Sequence, residues 1–197
     1  MVKSIGEGGN STQPEIQFAD NLRNQRLAKG WSVPELKQRS GVSEAMISAI
    51  ENYRRVPTVK VACHLAEALD TTVSYLLGET TVDVLTPLPK TKQKVLIDPD
   101  TNLERWVLSP ATHSSGLEFI RNVLPAFSTT GIFPPHKPGT VEYLVVGHGQ
   151  LVATVEEREE NLNEGDALYM QADRSHAFRN PLDSPCIYYV IIHSTSS

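Results

Sequence analysis

Pro135-His136-Lys137-Pro138-Gly139-Thr140-Val141-Glu142, led in by Phe133-Pro134 and answered by His176 thirty-four positions beyond Glu142, is the stretch on which the reading of this chain turns. It places one imidazole and one carboxylate on the same segment, with a second imidazole on a distant one. Side chains so spaced converge only when the chain closes into a β cavity. Two neutral imidazoles and a carboxylate suit a borderline divalent metal, or a small anionic ligand where no metal is bound.

Outward from that stretch the hydrophobic pattern supports a β cavity. After Asp98 the period is about two, and strands are expected at Arg105–Leu108, Leu117–Leu124, Val141–Val146, Gln150–Val155, Ala167–Met170 and Ile187–His193. Many short strands in roughly a hundred residues make a sandwich or a small barrel. Before Gly78 the period is helical. A first helix from Ile16 carries Phe18/Ala19, Leu22 and Leu27, with Arg23 and Arg26 toward water, and Gly30 ends it. Ser32 caps a second, with Pro34 in its first turn and Glu35 completing a capping box. Ser40-Gly41-Val42 is a tight turn, and Ser43 caps a third helix running to Asn52. Val59–Leu69 and Val73–Leu77 are the fourth and fifth.

The chain therefore divides, in expectation, into a leader at 1–15, a helical domain at 16–79, a linker at 80–97 and a β domain at 98–197: an α+β protein in two domains. The leader, rich in Gly, Ser and Asn, reads as disordered and lacks the apolar core of a secretory signal. The linker carries Pro87, Pro89 and an alternation of lysines at 90, 92 and 94. No apolar run approaches the length of a membrane span, so no membrane partner is expected and the chain reads as cytoplasmic. Cys63 and Cys186 read as buried reduced thiols. The net charge of −5 conceals a gradient. Residues 16–79 hold eight Lys/Arg against seven Asp/Glu, whereas residues 98–197 hold six against thirteen. An acidic chain does not bind nucleic acid over its whole surface, but a docking face in the front third remains open.

Leu22-Arg23, Gly30-Trp31-Ser32, Leu36, Ser40-Gly41-Val42-Ser43, Ile47-Ser48, Ile50-Glu51, Pro57-Thr58 and Ala66–Leu69 resemble, in order and spacing, the xenobiotic-response-element family, the lambda-repressor/Cro type of helix-turn-helix domain. The resemblance implies that the third helix enters the major groove of a double-stranded DNA operator, as a homodimer on a two-fold site. Glu44, Ala45 and Ala49 then read base edges, while Ser48, Asn52, Arg54 and Arg55 fix register on phosphates. Glu44 has a plainer reading too, as an acid favoured in the first turn of any helix. The chain departs from the family in two places. Val33 replaces a phosphate-contacting Gln, and Lys37 stands where a small Ala packs between helices, so its stem must snorkel or the helices must part.

The back half resembles the cupin family, a jelly-roll barrel, through Glu142 with Gly149 and through Gly165, His176 and Asn180. His136 matches the family's first histidine, Glu142 its carboxylate and His176 its last histidine, while Pro138 occupies the second histidine's place. The resemblance implies a divalent metal on His136, Glu142 and His176, with zinc ahead of iron or nickel, and a metal-free cavity as the other possibility. Of the barrel aromatics, Tyr143, Tyr169, Phe178 and Tyr188 are read as lining the ligand pocket, although alternation alone does not say which face is inward. His113, His148 and His193 fit no motif spacing and are expected at the surface or at strand ends.

A helix-turn-helix joined to a cupin resembles a class of bacterial one-component transcription regulators. Pro135-His136-x-x-Gly139-x-x-Glu142 and Ser43-x-Ala45-Met46 look closest to the branch tied to sulfur and amino-acid utilisation. The implied function is a regulator whose small-molecule effector, a polar metabolite such as an amino acid or sulfur compound, binds the cupin cavity. The rival is a mononuclear metal enzyme of oxygenase or epoxidase type that carries a helix-turn-helix domain.

Overall fold

The computed structural model describes residues 14–78, 85–110 and 116–194. Residues 1–13 of the expected leader, residues 79–84 and His113 lie outside the described residues, while Pro14 and Glu15, expected in the leader, begin the first helix. Five helices come first: α1 (Pro14–Ala28), α2 (Val33–Ser40), α3 (Glu44–Glu51), α4 (Val59–Ala68) and α5 (Val73–Leu76). Nine strands follow: β1 (Val95–Ile97), β2 (Glu104–Val107), β3 (Leu117–Leu124), β4 (Val141–His148), β5 (Gln150–Val155), β6 (Arg158–Asn163), β7 (Ala167–Gln171), β8 (His176–Arg179) and β9 (Cys186–His193).

The helix boundaries follow local chemistry. Ser32 and Glu35 form a reciprocal capping box at the start of α2, and Ser43, Thr58 and Thr72 each cap the next helix through a side-chain oxygen. Gly41, at φ 70°, takes the left-handed conformation that closes α2 and turns the chain into α3. The turn leaves α2 and α3 packed through Leu36, Val42 and Ile47, all buried. Lys37 does not enter that seam. It stays exposed, and its ammonium lies 2.9 Å from the carboxylate of Glu44. Two expectations for α1 need correcting. Arg26 is buried, with Nε and Nη2 at 2.7 and 2.8 Å from the two carboxylate oxygens of buried Glu51 and Nη1 on the Trp31 carbonyl. Leu27, by contrast, is 55% exposed. The buried stripe runs Phe18, Leu22, Arg26, so a bidentate ion pair holds α1 to α3 where an apolar contact was expected.

All sheet pairings are antiparallel, in a six-stranded sheet ordered β1-β2-β3-β9-β4-β7 and a three-stranded sheet ordered β6-β5-β8. Leu144, Val146 and Val190 of the first share one core with Leu151, Ala153 and Phe178 of the second. Three strands escape the periodicity. β1 has three residues, lies inside the stretch expected as linker, and buries only Leu96; β8 has four residues. β6 buries only Leu162, because it is an edge strand held by its backbone ladder to β5, and no alternation marks it.

The two domains are docked, and the buried apolar residues of both belong to one contiguous cluster. Two barrel carboxylates fasten the joint by accepting from helix N-termini. Asp98 accepts from the amide of Val59 at the start of α4, 2.8 Å away, and Glu118 from the amide of Ser74 in α5, 3.0 Å away, and also from the Ser74 hydroxyl. Free amides and the helix dipole favour a negative charge there. Lys94 adds a bond to Gln17 of α1, and Lys137 an ion pair to Asp70 after α4. Asp98→Ala should therefore lower unfolding free energy by about 1–2 kcal/mol, as losing an N-terminal helix cap does, and should speed amide exchange of Val59. Chemical denaturation and exchange mass spectrometry measure both.

Candidate metal centre and its helical lid

His136 sits on the loop between β3 and β4. Phe133 and His176 exchange backbone hydrogen bonds of 2.7 and 3.2 Å, and the His136 amide donates to the Ala172 carbonyl at 2.9 Å. These bonds carry the His136 ring across the barrel mouth. Glu142 alternates inward on β4 with Leu144 and Val146, and is 3% exposed. His176 opens β8, is equally buried, and lies between the rings of Phe133 and Phe178.

The three side chains come together. Nε2 of His136 lies 3.4 Å and Nε2 of His176 3.7 Å from Oε1 of Glu142, and one ligand atom from each residue falls within 4.8 Å of the others. The tautomer of His176 suits a metal. His176 Nδ1 lies 2.9 Å from the Arg174 carbonyl, which only accepts, so Nδ1 bears the proton and Nε2 presents its lone pair to the cluster. His136 Nδ1 faces a carboxylate, Glu67 of α4, at 3.7 Å. An outward N–H held by an acceptor, as on His176, is the usual support of a metal-bound histidine, whereas Glu67 is an electrostatic neighbour of His136 beyond hydrogen-bond contact. Two imidazole nitrogens and one carboxylate oxygen so placed could hold a divalent metal ion. When bound, such an ion supplies Lewis acidity and open coordination positions.

Without metal, the proton of the cluster sits on His136. Burial opposes charge on His136, but its contacts with Glu142 and Glu67 outweigh burial and raise the imidazole to about 9. Burial holds His176 below its ordinary value. Burial also works against the charge of Glu142, yet the two histidines and Arg105 overcome it and keep the carboxylate below its usual range.

The site has a lid from the other domain. Cys63 of α4 lines the small inner cavity with Glu142, His136 and His176, and burial pushes its thiol up to about 11. That cavity holds about 20 Å³, little more than one water molecule. Outside it lies a cleft of about 360 Å³ between the domains, lined by Arg39, His64 and Glu67 from the helices and by Pro135 and Lys137 from the barrel. His136 borders both spaces. Pro138 is exposed.

The four aromatics expected at the pocket divide between the two faces of the barrel. Phe178 and Tyr188 are buried and line the cavity. Tyr143 and Tyr169 do not; they are 53% and 55% exposed, paired across β4 and β7 with rings 5.3 Å apart on the outer face. Parity explains the correction, since an inward Glu142 sends Tyr143 outward and its cross-strand partner goes with it. The sequence reading missed Arg105, Asn122, Cys63 and Glu67. Arg105 and Asn122 had a signal, as lone polar residues at inward positions of β2 and β3. Cys63 and Glu67 had none, because a helical domain's contact with a barrel leaves no local pattern. His148 pairs at the surface with Glu164, 3.1 Å away, and His193 is exposed.

On the helical side, α3 presents Glu44 and Ala45 exposed and Ala49 half-buried. Asn52 donates to the Ser48 carbonyl at 2.7 Å, while Arg54 and Arg55 stand exposed in the following loop. Lys37 thus offsets the Glu44 carboxylate beside the face that the helix-turn-helix geometry turns outward.

Fold and site together define a helix-turn-helix protein with a C-terminal cupin domain. The Helix-turn-helix family HTH_3 matches residues 22–76 and the Cupin domain family Cupin_2 matches residues 127–192. The chain is 28% identical over 177 residues to the HTH-type transcriptional regulator SutR of Escherichia coli K12, covering 89% of this chain and 94% of that protein. A crystal structure of an HTH_3 family transcriptional regulator from Vibrio cholerae superposes with a TM-score of 0.76 at 23% identity, covering 92% of this chain and 97% of the other. The iron(II) form of HppE shares the fold at a TM-score of 0.50 and 16% identity, over 91% of this chain and all of that one. Among the described residues no helix is long and apolar enough to cross a membrane.

The proton on His136 dictates a pH response. A histidine raised from 6.5 to about 9 adds stability that is fully present below 6.5 and lost as pH climbs through 9. Metal-free protein should thus lose up to about 3 kcal/mol between those limits, and His136→Gln should flatten the curve. Thermal unfolding across that range measures it. Zinc uptake below pH 9 should release about one proton, seen as a buffer-dependent heat.

Proposed function

We propose that this chain is a cytoplasmic, homodimeric, ligand-responsive transcription regulator. Its α3 helix reads a double-stranded operator, with Glu44, Ala45 and Ala49 toward base edges and Ser48, Asn52, Arg54 and Arg55 on the backbone. His136, Glu142 and His176 hold a divalent ion, zinc ahead of iron or nickel, and a small polar metabolite is the effector. SutR, whose name describes a transcriptional regulator, is similar over nearly its whole length and supports this reading.

The observation that carries it is the place of the helical domain in the cavity wall. α4, a core helix of the DNA-binding domain, supplies Cys63 to the cavity wall and Glu67 to His136. With room for little more than a water molecule, the cavity accepts a metabolite only if its lining moves, and Cys63 is part of that lining. α4 packs on α2 and shares its core, so it moves with the helix-turn-helix unit. Effector binding and domain docking therefore compete, which is what a two-state sensor needs. The metal-enzyme reading keeps the same three ligands and draws on the fold likeness to HppE. Among the described residues, however, the cavity's charged lining beyond the cluster is Arg105 alone, with no second carboxylate for proton chemistry.

A duplex selected by the protein from a random pool, followed by fluorescence anisotropy, tests the proposal. Zinc should change its affinity roughly 5- to 150-fold, the range of ordinary allosteric coupling. His136→Ala with His176→Ala should abolish the change. Equal affinities with and without zinc in the wild type, or a zinc response that survives in the double variant, would contradict it.

A further inference from the structure

The metal cluster leaves unused the most costly groups in the barrel. Arg105 of β2 is 6% exposed, and across the ladder it faces Asn122 of β3, which in turn faces Tyr188 of β9. The three form one row on the inner face, and all line the cavity that holds Glu142 and the histidines. Arg105 carries a full charge, yet its Nε and Nη2 have no hydrogen-bond partner among the described residues. Its ion-pair neighbour, Glu118, stands 3.6 Å from Nη2, beyond hydrogen-bond contact, and spends its other oxygen on Ser74. The Oδ1 of buried Asn122 is likewise unpartnered. Buried polar atoms are paired as a rule, and a buried guanidinium with idle N–H groups is among the dearest exceptions.

We propose that Arg105 and Asn122 form a recognition site for a small carboxylate that bears an adjacent N–H or O–H donor, as α-amino and α-hydroxy acids do. The guanidinium fork matches the two oxygens of a carboxylate. The Asn122 oxygen accepts only, so it selects a donor beside the carboxylate. Charge agrees. Glu118 balances Arg105, and a divalent ion on Glu142 leaves one positive charge in excess, which a carboxylate cancels. Leu103, Phe133, Val190 and Ile192 complete the wall and limit the rest of the ligand to a short apolar group. The site deepens the effector reading of the cavity and rests on it, since the lining that includes Cys63 must move to admit anything larger than water.

Isothermal titration calorimetry of the zinc-loaded full chain tests the assignment, with glycine and glycolate as acids and glycinamide as the control without a carboxylate. One of the acids should bind at millimolar concentration, and glycinamide about tenfold more weakly or worse, as expected for a missing charged hydrogen bond. Arg105→Gln should weaken the acid by a similar factor, and Arg105→Lys, which keeps charge without the fork, by less. Because Arg105→Gln strands Glu118, the charge-neutral pair Arg105→Gln with Glu118→Gln should be measured beside it, with thermal unfolding to confirm folding. Equal binding of acid and amide, undiminished binding in the folded variants, or no binding of either acid to the wild type would each overturn the assignment. The titration contains no DNA. Carboxylate binding through Arg105 with operator affinity unmoved would refute the regulator reading and leave this site standing.

Discussion

A carboxylate held inside a β barrel, 3% exposed, sets the terms for everything around it. An isolated buried anion is untenable, so Glu142 demands positive partners. The barrel supplies His136 and His176 at 3.4 and 3.7 Å and the electrostatic support of Arg105. Each partner creates a further demand. His136 needs an acceptor for its outer nitrogen and meets Glu67; Arg105 needs a counter-ion and meets Glu118. Those two answers come from the domain joint, for Glu67 belongs to α4, while Glu118 also binds α5 through Ser74. The requirement that begins at one buried anion thus ends in the DNA-binding domain.

Seen this way, the joint and the sensor are one structure. The helices dock on the barrel through carboxylates at helix N-termini and a shared apolar core, and their docking places Cys63 in the cavity wall. Anything that changes the charge or volume of the cavity acts on α4 directly. No relay of side chains is required, because the wall of one site is a core helix of the other domain.

Much of this was legible in the sequence. The caps Ser32, Ser43 and Thr58 and the turn at Gly41 declare the helices, and the spacing of His136, Glu142 and His176 declares the cluster, because both signals are local or tied to a strand's period. Tyr143 was misplaced although the same period, anchored on Glu142, would have sent it outward. Arg26 read as a surface residue because its partner Glu51 lies a helix and a turn away. The lid was invisible. Cys63 and Glu67 fit their own helix as ordinary core and flank residues, and only the packing of one domain on another gives them a place at the cavity.

The central claim is that the state of the cavity and the seating of α4 are linked. Hydrogen–deuterium exchange of the full chain, with and without saturating zinc, measures that link directly. The account predicts that protection of residues 59–68 changes together with that of residues 133–142. A change confined to the barrel, with α4 exchanging identically in both states, would contradict it.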